Sequence, residues 1–221
     1  MTRDQIAASY DAVARQYAEA IGDELVDKPV DRAWLNLMVE VTAGGILADA
    51  GCGPGHVTAY LSEQGAMVVG IDVSPGMIAV AASRYQGIDF EVGSLLALPA
   101  GDAAWSGAVC AYSIIHLEPE QRPVAFAELA RVIVAGGWLL LSFHIDDDAH
   151  EAGAVKRVTE WWGEQVALEF HFLDPQVIAR EVDQAGFTVM AVTRRRPWPG
   201  GDGREGEHPS RRCHLLAQRV I

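Results

Sequence analysis

With 221 residues, half of them hydrophobic and 21% charged, the chain has the length and composition of one globular domain, which excludes a disordered polymer. Its net charge of −13 argues against nucleic acid as a general partner, since phosphate binding needs a basic surface. The longest apolar stretch, 132–143, is interrupted by Gly136-Gly137 and is too short to span a bilayer. A cytoplasmic protein is expected.

Residues 4–20 carry Ile6, Tyr10, Val13, Ala14, Tyr17 and Ala18 on one helical face, and Asp31 to Val41 predicts a second helix burying Trp34, Leu35, Leu37, Met38 and Val41. Both precede the first strand, so 1–43 reads as lid helices. From Ile46 the pattern alternates. Strands are predicted at 46–50, 67–71, 88–92, 107–112 and 138–143, with helices at about 55–64, 75–84 and 119–134. Strands this apolar between helices indicate a parallel sheet covered on both faces. After His144, Asp146-Asp147-Asp148 reads as a solvated loop, and 151–172 shows only weak periodicity. A helix from Asp174 or Pro175 to about Ala185 and two strands, 187–195 and 213–220, close the chain. Turn chemistry lies between those strands at Pro197 to Gly203. No linker divides the chain, so 1–221 reads as a single domain: the lid, a core over 44–145, a substrate-side insertion over 146–173, and a terminal helix with a strand pair over 174–221.

Three cysteines, Cys52, Cys110 and Cys213, lie far apart and odd in number, which predicts reduced thiols and no metal site. Seven arginines against three acids make the segment from Arg194 to Ile221 locally basic. Arg194-Arg195-Arg196 and Arg211-Arg212 read as a solvated edge that discourages sheet pairing. The sharper alternative is recognition of a carboxylate or phosphate.

The functional signal is an ordered set. Ile46 to Ala50 runs into Gly51-Cys52-Gly53-Pro54-Gly55, where glycines at alternate positions let a ligand approach the backbone. The next strand ends in Asp72, 17 residues past Gly55, where a carboxylate can accept ribose hydroxyls. Gly93-Ser94-Leu95 ends the strand after it, and Tyr112 to Leu117 leaves the central strand toward the open side. The set resembles the class I S-adenosylmethionine-dependent methyltransferases. Asp49 to Gly55 is similar to that family's first motif, Asp72 to its ribose-binding acid, and Glu128 to Leu140 to its helix, turn and fifth strand. Tyr10 to Tyr17 is similar to the leading helix of small-molecule members.

The resemblance implies a Rossmann-like three-layer α/β sandwich whose seven-stranded sheet runs 3-2-1-4-5-7-6 with strand 7 antiparallel. It implies S-adenosylmethionine as cofactor, with Gly51, Cys52, Gly53 and Gly55 under its methionine part and Asp49 near its amino group. Asp72 would hold the ribose, and Val73 with Leu95 would sandwich the adenine beside Met77, Gly93 and Ser94. Tyr17 and Tyr112 complete the expected cofactor contacts. Many members carry an acid where Ser94 stands, a departure that leaves a weaker acceptor for the adenine amino group. A dinucleotide dehydrogenase is the rival, but its G-x-G-x-x-G spacing fails here, where the third glycine is Gly55 and position 56 is histidine.

The implied reaction is methyl transfer to a small-molecule acceptor, which needs a general base only where the nucleophile holds a proton tightly. His116 is the candidate base, with a structural role as the alternative. His144, His171, Tyr10 and Trp161 are candidate acceptor contacts, each also readable as packing. Trp161 and Trp162 are expected to point in different directions. Binding of the cofactor without catalysis, as a sensor or accessory subunit, is the alternative from another functional class.

Overall fold

The computed structural model describes residues 1–199 and 207–220. The turn expected at 200–203 lies outside the described residues. Helix α1 (Arg3–Ile21) is started by Thr2, whose side chain accepts from the Gln5 amide while the Gln5 side chain accepts from the Thr2 amide, a reciprocal cap. A one-turn 3-10 helix at Glu24–Asp27 leads to α2 (Pro29–Val41), with Pro29 in its first turn. The alternating region follows as β1 (Ile46–Ala50), α3 (His56–Glu63), β2 (Met67–Asp72), α4 (Pro75–Arg84), β3 (Asp89–Val92), β4 (Trp105–Ala111), α5 (Arg122–Val132) and β5 (Ile133–Asp147). Then come β6 (Val155–Trp161), β7 (Glu164–His171), α6 (Pro175–Gln184), β8 (Phe187–Arg195) and β9 (Ser210–Arg219).

Seven strands form one sheet in the order β3-β2-β1-β4-β5-β9-β8. The strands from β3 to β5 are parallel neighbours, and β9 runs antiparallel to both β5 and β8. Leaving out the separate β6–β7 pair, this is the expected 3-2-1-4-5-7-6 order. Successive residues of the central strands go to opposite faces. Leu47, Val109, Leu140 and Leu216 pack toward α2 and α3, whereas Ala48, Cys110, Leu139, Leu141 and Leu215 join the core that includes residues of α5 and α6. Each fully buried leucine contributes about 1.5–3 kcal/mol by leaving water.

β5 is longer than its apolar centre suggests. It starts at Ile133 opposite Trp105, slips register before Gly107 meets Trp138, and runs on to Asp147. Asp146 and Asp147 therefore lie in a strand rather than a solvated loop. Asp146 is paired with Arg211 on β9.

The weakly periodic stretch is a β-hairpin, β6–β7. Its turn is Trp162-Gly163, both with positive φ (51° and 82°), the backbone that suits a two-residue hairpin. That turn corrects the expectation for the tryptophans. Left-handed Trp162 swings its ring back onto Trp161, and the two stack with centroids 4.7 Å apart and 10° between planes. β7 buries Val166 and Leu168 against Ile6 and Val13 of α1. Ser9 Oγ ties the two elements by accepting from the Ala167 amide at 2.9 Å. Lid helix and hairpin are one wall over the carboxyl ends of the strands.

Candidate active site

Two cavities meet over those strand ends. The first is lined by the β1–α3 loop and the ends of β2, β3 and β4. In the loop, the amides of Gly51 and Cys52 both donate to the Ile71 carbonyl, at 2.7 and 2.9 Å. Gly51 has φ +88° and a side chain there would collide with Ser113 at 2.2 Å, so only glycine fits. Gly53 (φ +53°) lines the cavity and has no atom within 4 Å of where its Cβ would stand, which leaves open space there.

Asp49, at the end of β1, is fully buried. Thr58 donates to its Oδ2 at 2.7 Å, while Oδ1 has no hydrogen-bond partner. Burial raises its pKa to about 6, against the opposing pull of the Thr58 hydroxyl. Asp72 is held by backbone amides instead: Gly53 donates to Oδ2 at 2.9 Å and Ser74 to Oδ1 at 2.8 Å. Burial still shifts it upward. The Ser74 side chain caps α4 by accepting from the Met77 amide at 3.0 Å. From α1, Asp11 Oδ1 accepts from both Ser74 Oγ (2.5 Å) and the Gly76 amide (2.7 Å).

Tyr17, Asp49, Gly51, Cys52, Gly53, Asp72, Val73, Met77, Gly93, Ser94, Leu95 and Tyr112 all line this first cavity. Gly55 does not. A Cβ on it would press on Phe90 and Ala81 at 2.9 Å, so it serves the packing of α3 against β3 and α4. Ser94 Oγ already accepts from the Leu96 amide at 3.2 Å. Sequence reasoning passed over His56 except as a break in a dinucleotide pattern. It lines the cavity, its Nε2 lies 3.1 Å from Glu24 Oε1, and its buried Nδ1 has no partner. Glu24 feels the cost of burial, yet His56 and Lys28 hold it down at about 2.

The second cavity, of about 830 Å³, lies between α1, the hairpin and the end of β5. Tyr10, Tyr17, Ile21, Glu24 and Tyr112 line both cavities and mark where they join. Tyr112 has φ +55°, a costly backbone state for a residue with a side chain. It is kept there by its amide bond to the Ser142 carbonyl (2.8 Å) and its hydroxyl bond to Asp31 (3.3 Å).

The histidines separate. His116 lies in a short 3-10 turn after β4, with Nδ1 2.9 Å from the Glu169 carbonyl and Nε2 2.7 Å from the Tyr10 hydroxyl. A carbonyl only accepts, so Nδ1 carries the proton and Nε2 accepts from Tyr10. Burial lowers its pKa to about 4, so the ring is neutral at pH 7. His144 lines the second cavity, bonded through Nδ1 to Ser210 Oγ at 2.7 Å. His171 lines neither cavity. It is buried beside Glu118, with Nε2 3.6 Å from that carboxylate and no hydrogen bond of its own. Glu118, Glu169 and His171 are close enough to share a cation, but the Met1 ammonium and Arg157 already balance the two carboxylates. Trp161 lines the second cavity, edge-on to Tyr17 at 5.4 Å.

The arginine-rich end is not a solvated edge throughout. Arg195 and Arg212 are buried: Arg195 bonds Asp31 at 2.5 Å and Glu207 at 2.5 and 2.8 Å, and Arg212 lies 3.4 Å from Glu207. Arg211, 60% exposed in its side chain, fits the expectation.

Residues 47–137 match the methyltransferase domain family. The malonyl-[acyl-carrier protein] O-methyltransferase of Erwinia billingiae is 31% identical over 80% of this chain and 72% of its own length. The chain belongs to the class I S-adenosylmethionine-dependent methyltransferases. That membership removes the dehydrogenase alternative. The Serratia marcescens malonyl-[acyl-carrier protein] O-methyltransferase is 32% identical over 75% of this chain, which spans only 57% of that relative. Among solved structures, the [4+2]-cyclase SpnF shares the fold with a TM-score of 0.72 and 20% identity, covering 100% of this chain and 98% of its own. The family's cofactor suits the first cavity on chemical grounds. Asp49 Oδ1 is an acceptor with nothing to accept, and Gly53 lines the same cavity with no side chain in the way.

Proposed function

We propose that the protein transfers a methyl group from S-adenosylmethionine to a small-molecule acceptor. The observation that carries this is the orphaned Asp49 carboxylate in a glycine-lined cleft that opens, between Tyr10, Tyr17 and Tyr112, into a second, larger cavity. Asp49 would take the cofactor's ammonium, Asp72 the ribose hydroxyls, and Val73, Met77 and Leu95 the adenine. When bound, the cofactor supplies a methyl group already activated on a positively charged sulfur.

The chain's own residues then align and exclude water. Tyr10 and Tyr17, on a helix pinned to α4 through Asp11 and to the hairpin through Ser9, cover the junction. An acceptor hydroxyl would pass its proton to the Tyr10 oxygen while Tyr10 passes its own to His116 Nε2. The Glu169 carbonyl steadies Nδ1–H throughout. The acidity of the whole chain and the aromatic lining of the second cavity support a small acceptor rather than nucleic acid.

A cavity of about 830 Å³ beside the cofactor cleft favours catalysis over sensing. The decisive experiment has two arms. S-adenosylhomocysteine should bind by calorimetry. The protein incubated with methyl-labelled cofactor and a cell extract should move label into the small-molecule fraction. Tight binding with no transfer would establish the sensor reading instead.

A further inference from the structure

The second cavity is electrically lopsided, and that property indicates what it takes. At the lid rim it is lined by Glu19, Asp23, Glu24 and Asp27, on α1 and the 3-10 turn that follows, and by Lys28, whose ammonium pairs with Glu24 at 2.6 Å and lies 4.0 Å from Glu207. At the far end, where β5 meets β9 and the hairpin begins, it is lined by Arg212, Lys156, His144 and His208. The acid at that end is Glu207, and it is consumed: it takes two bonds from Arg195, one from the Trp198 amide, and lies 3.4 Å from Arg212. Lys156 makes no ion pair among the described residues.

Arg212 carries the strongest signal. Its side chain is 3% exposed, its Nη1 is spent on the His208 and Ser210 carbonyls, and its buried Nε has no partner. A buried donor left unmade costs about 1–3 kcal/mol, a cost that a bound acceptor atom removes. The two histidines at this end report the same field. Burial is the first cause that lowers each; Arg212 and Lys28 add to it at His144 against Glu207, and Lys156 and Arg212 add to it at His208 against Asp147. Between this end and the junction the walls are aromatic: Tyr112 lies 4.9 Å from His144, and Phe170, Phe172 and Trp161 close the side formed by the hairpin.

We propose that the methyl acceptor is an anion with a flat apolar body, its carboxylate-type group held by Arg212 and Lys156 at the β5–β9 end of the cavity. The proposal deepens the methyltransferase reading and rests on it. Arg212, Lys156 and His208 line only the second cavity, whereas the methyl group is delivered where the two join. The anchoring anion is therefore not the methylated group, and it survives in the product.

A matched pair of probes tests this: 2-naphthoate and its neutral analogue 2-naphthamide, titrated calorimetrically into full-length protein saturated with S-adenosylhomocysteine. The acid should bind about tenfold more tightly than the amide, the factor expected of a charge-assisted hydrogen bond. Lys156→Met, on the more accessible hairpin, and Arg212→Gln should each erase most of that preference without changing the amide's affinity. Retained S-adenosylhomocysteine affinity in both variants reports an intact fold. Equal binding of the two probes, binding of neither at millimolar concentration, or a preference untouched by both substitutions overturns the proposal. Failure of the wild-type protein to bind S-adenosylhomocysteine would instead overturn the methyltransferase reading beneath it.

Discussion

A buried carboxylate with one oxygen unsatisfied is expensive in the free protein, and Asp49 shows what the expense is for. Its pKa is raised to about 6, against about 3.9 unfolded. Above pH 6 the folded state holds a charge that burial disfavours, so this group lowers stability as pH rises between those values. Asp49→Asn should therefore raise the melting temperature of the ligand-free protein at pH 7.5 by about 2–4 °C. The same change should weaken S-adenosylhomocysteine at least about tenfold, because a neutral amide replaces the partner of its ammonium. Opposite signs in thermal denaturation and calorimetry distinguish a binding residue from a packing one. Gly55 makes the contrasting case. With φ +85° and Phe90 2.9 Å from any Cβ, Gly55→Ala should cost about 1–3 kcal/mol in urea denaturation. It should leave cofactor contacts in place, since Gly55 faces away from the cleft.

Elements above the sheet are attached through few polar points, which makes their coupling testable. Asp11 joins α1 to the first turn of α4 through Ser74 and Gly76, adding a negative charge to an exposed helix N-terminus. Asp11→Ala should cost about 1 kcal/mol of global stability. It should also speed hydrogen exchange in α1 selectively and weaken S-adenosylhomocysteine, because Tyr17 rides on that helix. The opposite corner is held by the Asp31–Arg195–Glu207 cluster, which ties α2 to the β8–β9 connection. Removing its cation leaves two buried carboxylates facing each other. Arg195→Met should therefore destabilise by about 3–5 kcal/mol, read as a lower urea midpoint at unchanged slope.

At the scale of the whole molecule, acid stability should follow three histidines buried as neutral rings. His116 and His214 are lowered to about 4 and His144 to about 3, burial being the first cause in each. Unfolded histidine titrates near 6.5, so between pH 6.5 and about 4 the unfolded state binds the extra protons and stability falls as pH falls. Asp49 and Asp72, both raised by burial, work in the other direction over part of that range. The net slope should be on the order of 2 kcal/mol per pH unit, measurable as the pH dependence of the urea midpoint. A flat profile from pH 6.5 to 4.5 would contradict the burial of these rings.

The strand–helix alternation from Ile46 to Phe143 was legible because the central strands β1, β4 and β5 are apolar on both faces and helices α3 and α4 begin at recognisable signals, Gly55-His56 and Ser74-Pro75. Those are local properties, and the chain states them locally. The glycine loop and Asp72 belong with them, since the backbone bonds from Gly53 and Ser74 that hold Asp72 are set over a few residues of loop. The hairpin was not legible. β7 alternates over only part of its length, and its turn is set by a left-handed tryptophan that no turn preference announces. That single backbone state put Trp162 on Trp161. Nor was the fate of the arginines, because a run of like charges reads as solvated until a partner is known. Asp31 and Glu207 lie 164 and 12 residues from Arg195. The sequence by itself determined the sheet and the cofactor cleft, where the deciding interactions are short in range. Only the tertiary structure decided where Arg212 and Lys156 stand in the second cavity, which histidines face it, and where the two cavities join, since each depends on groups distant in the chain meeting in one place.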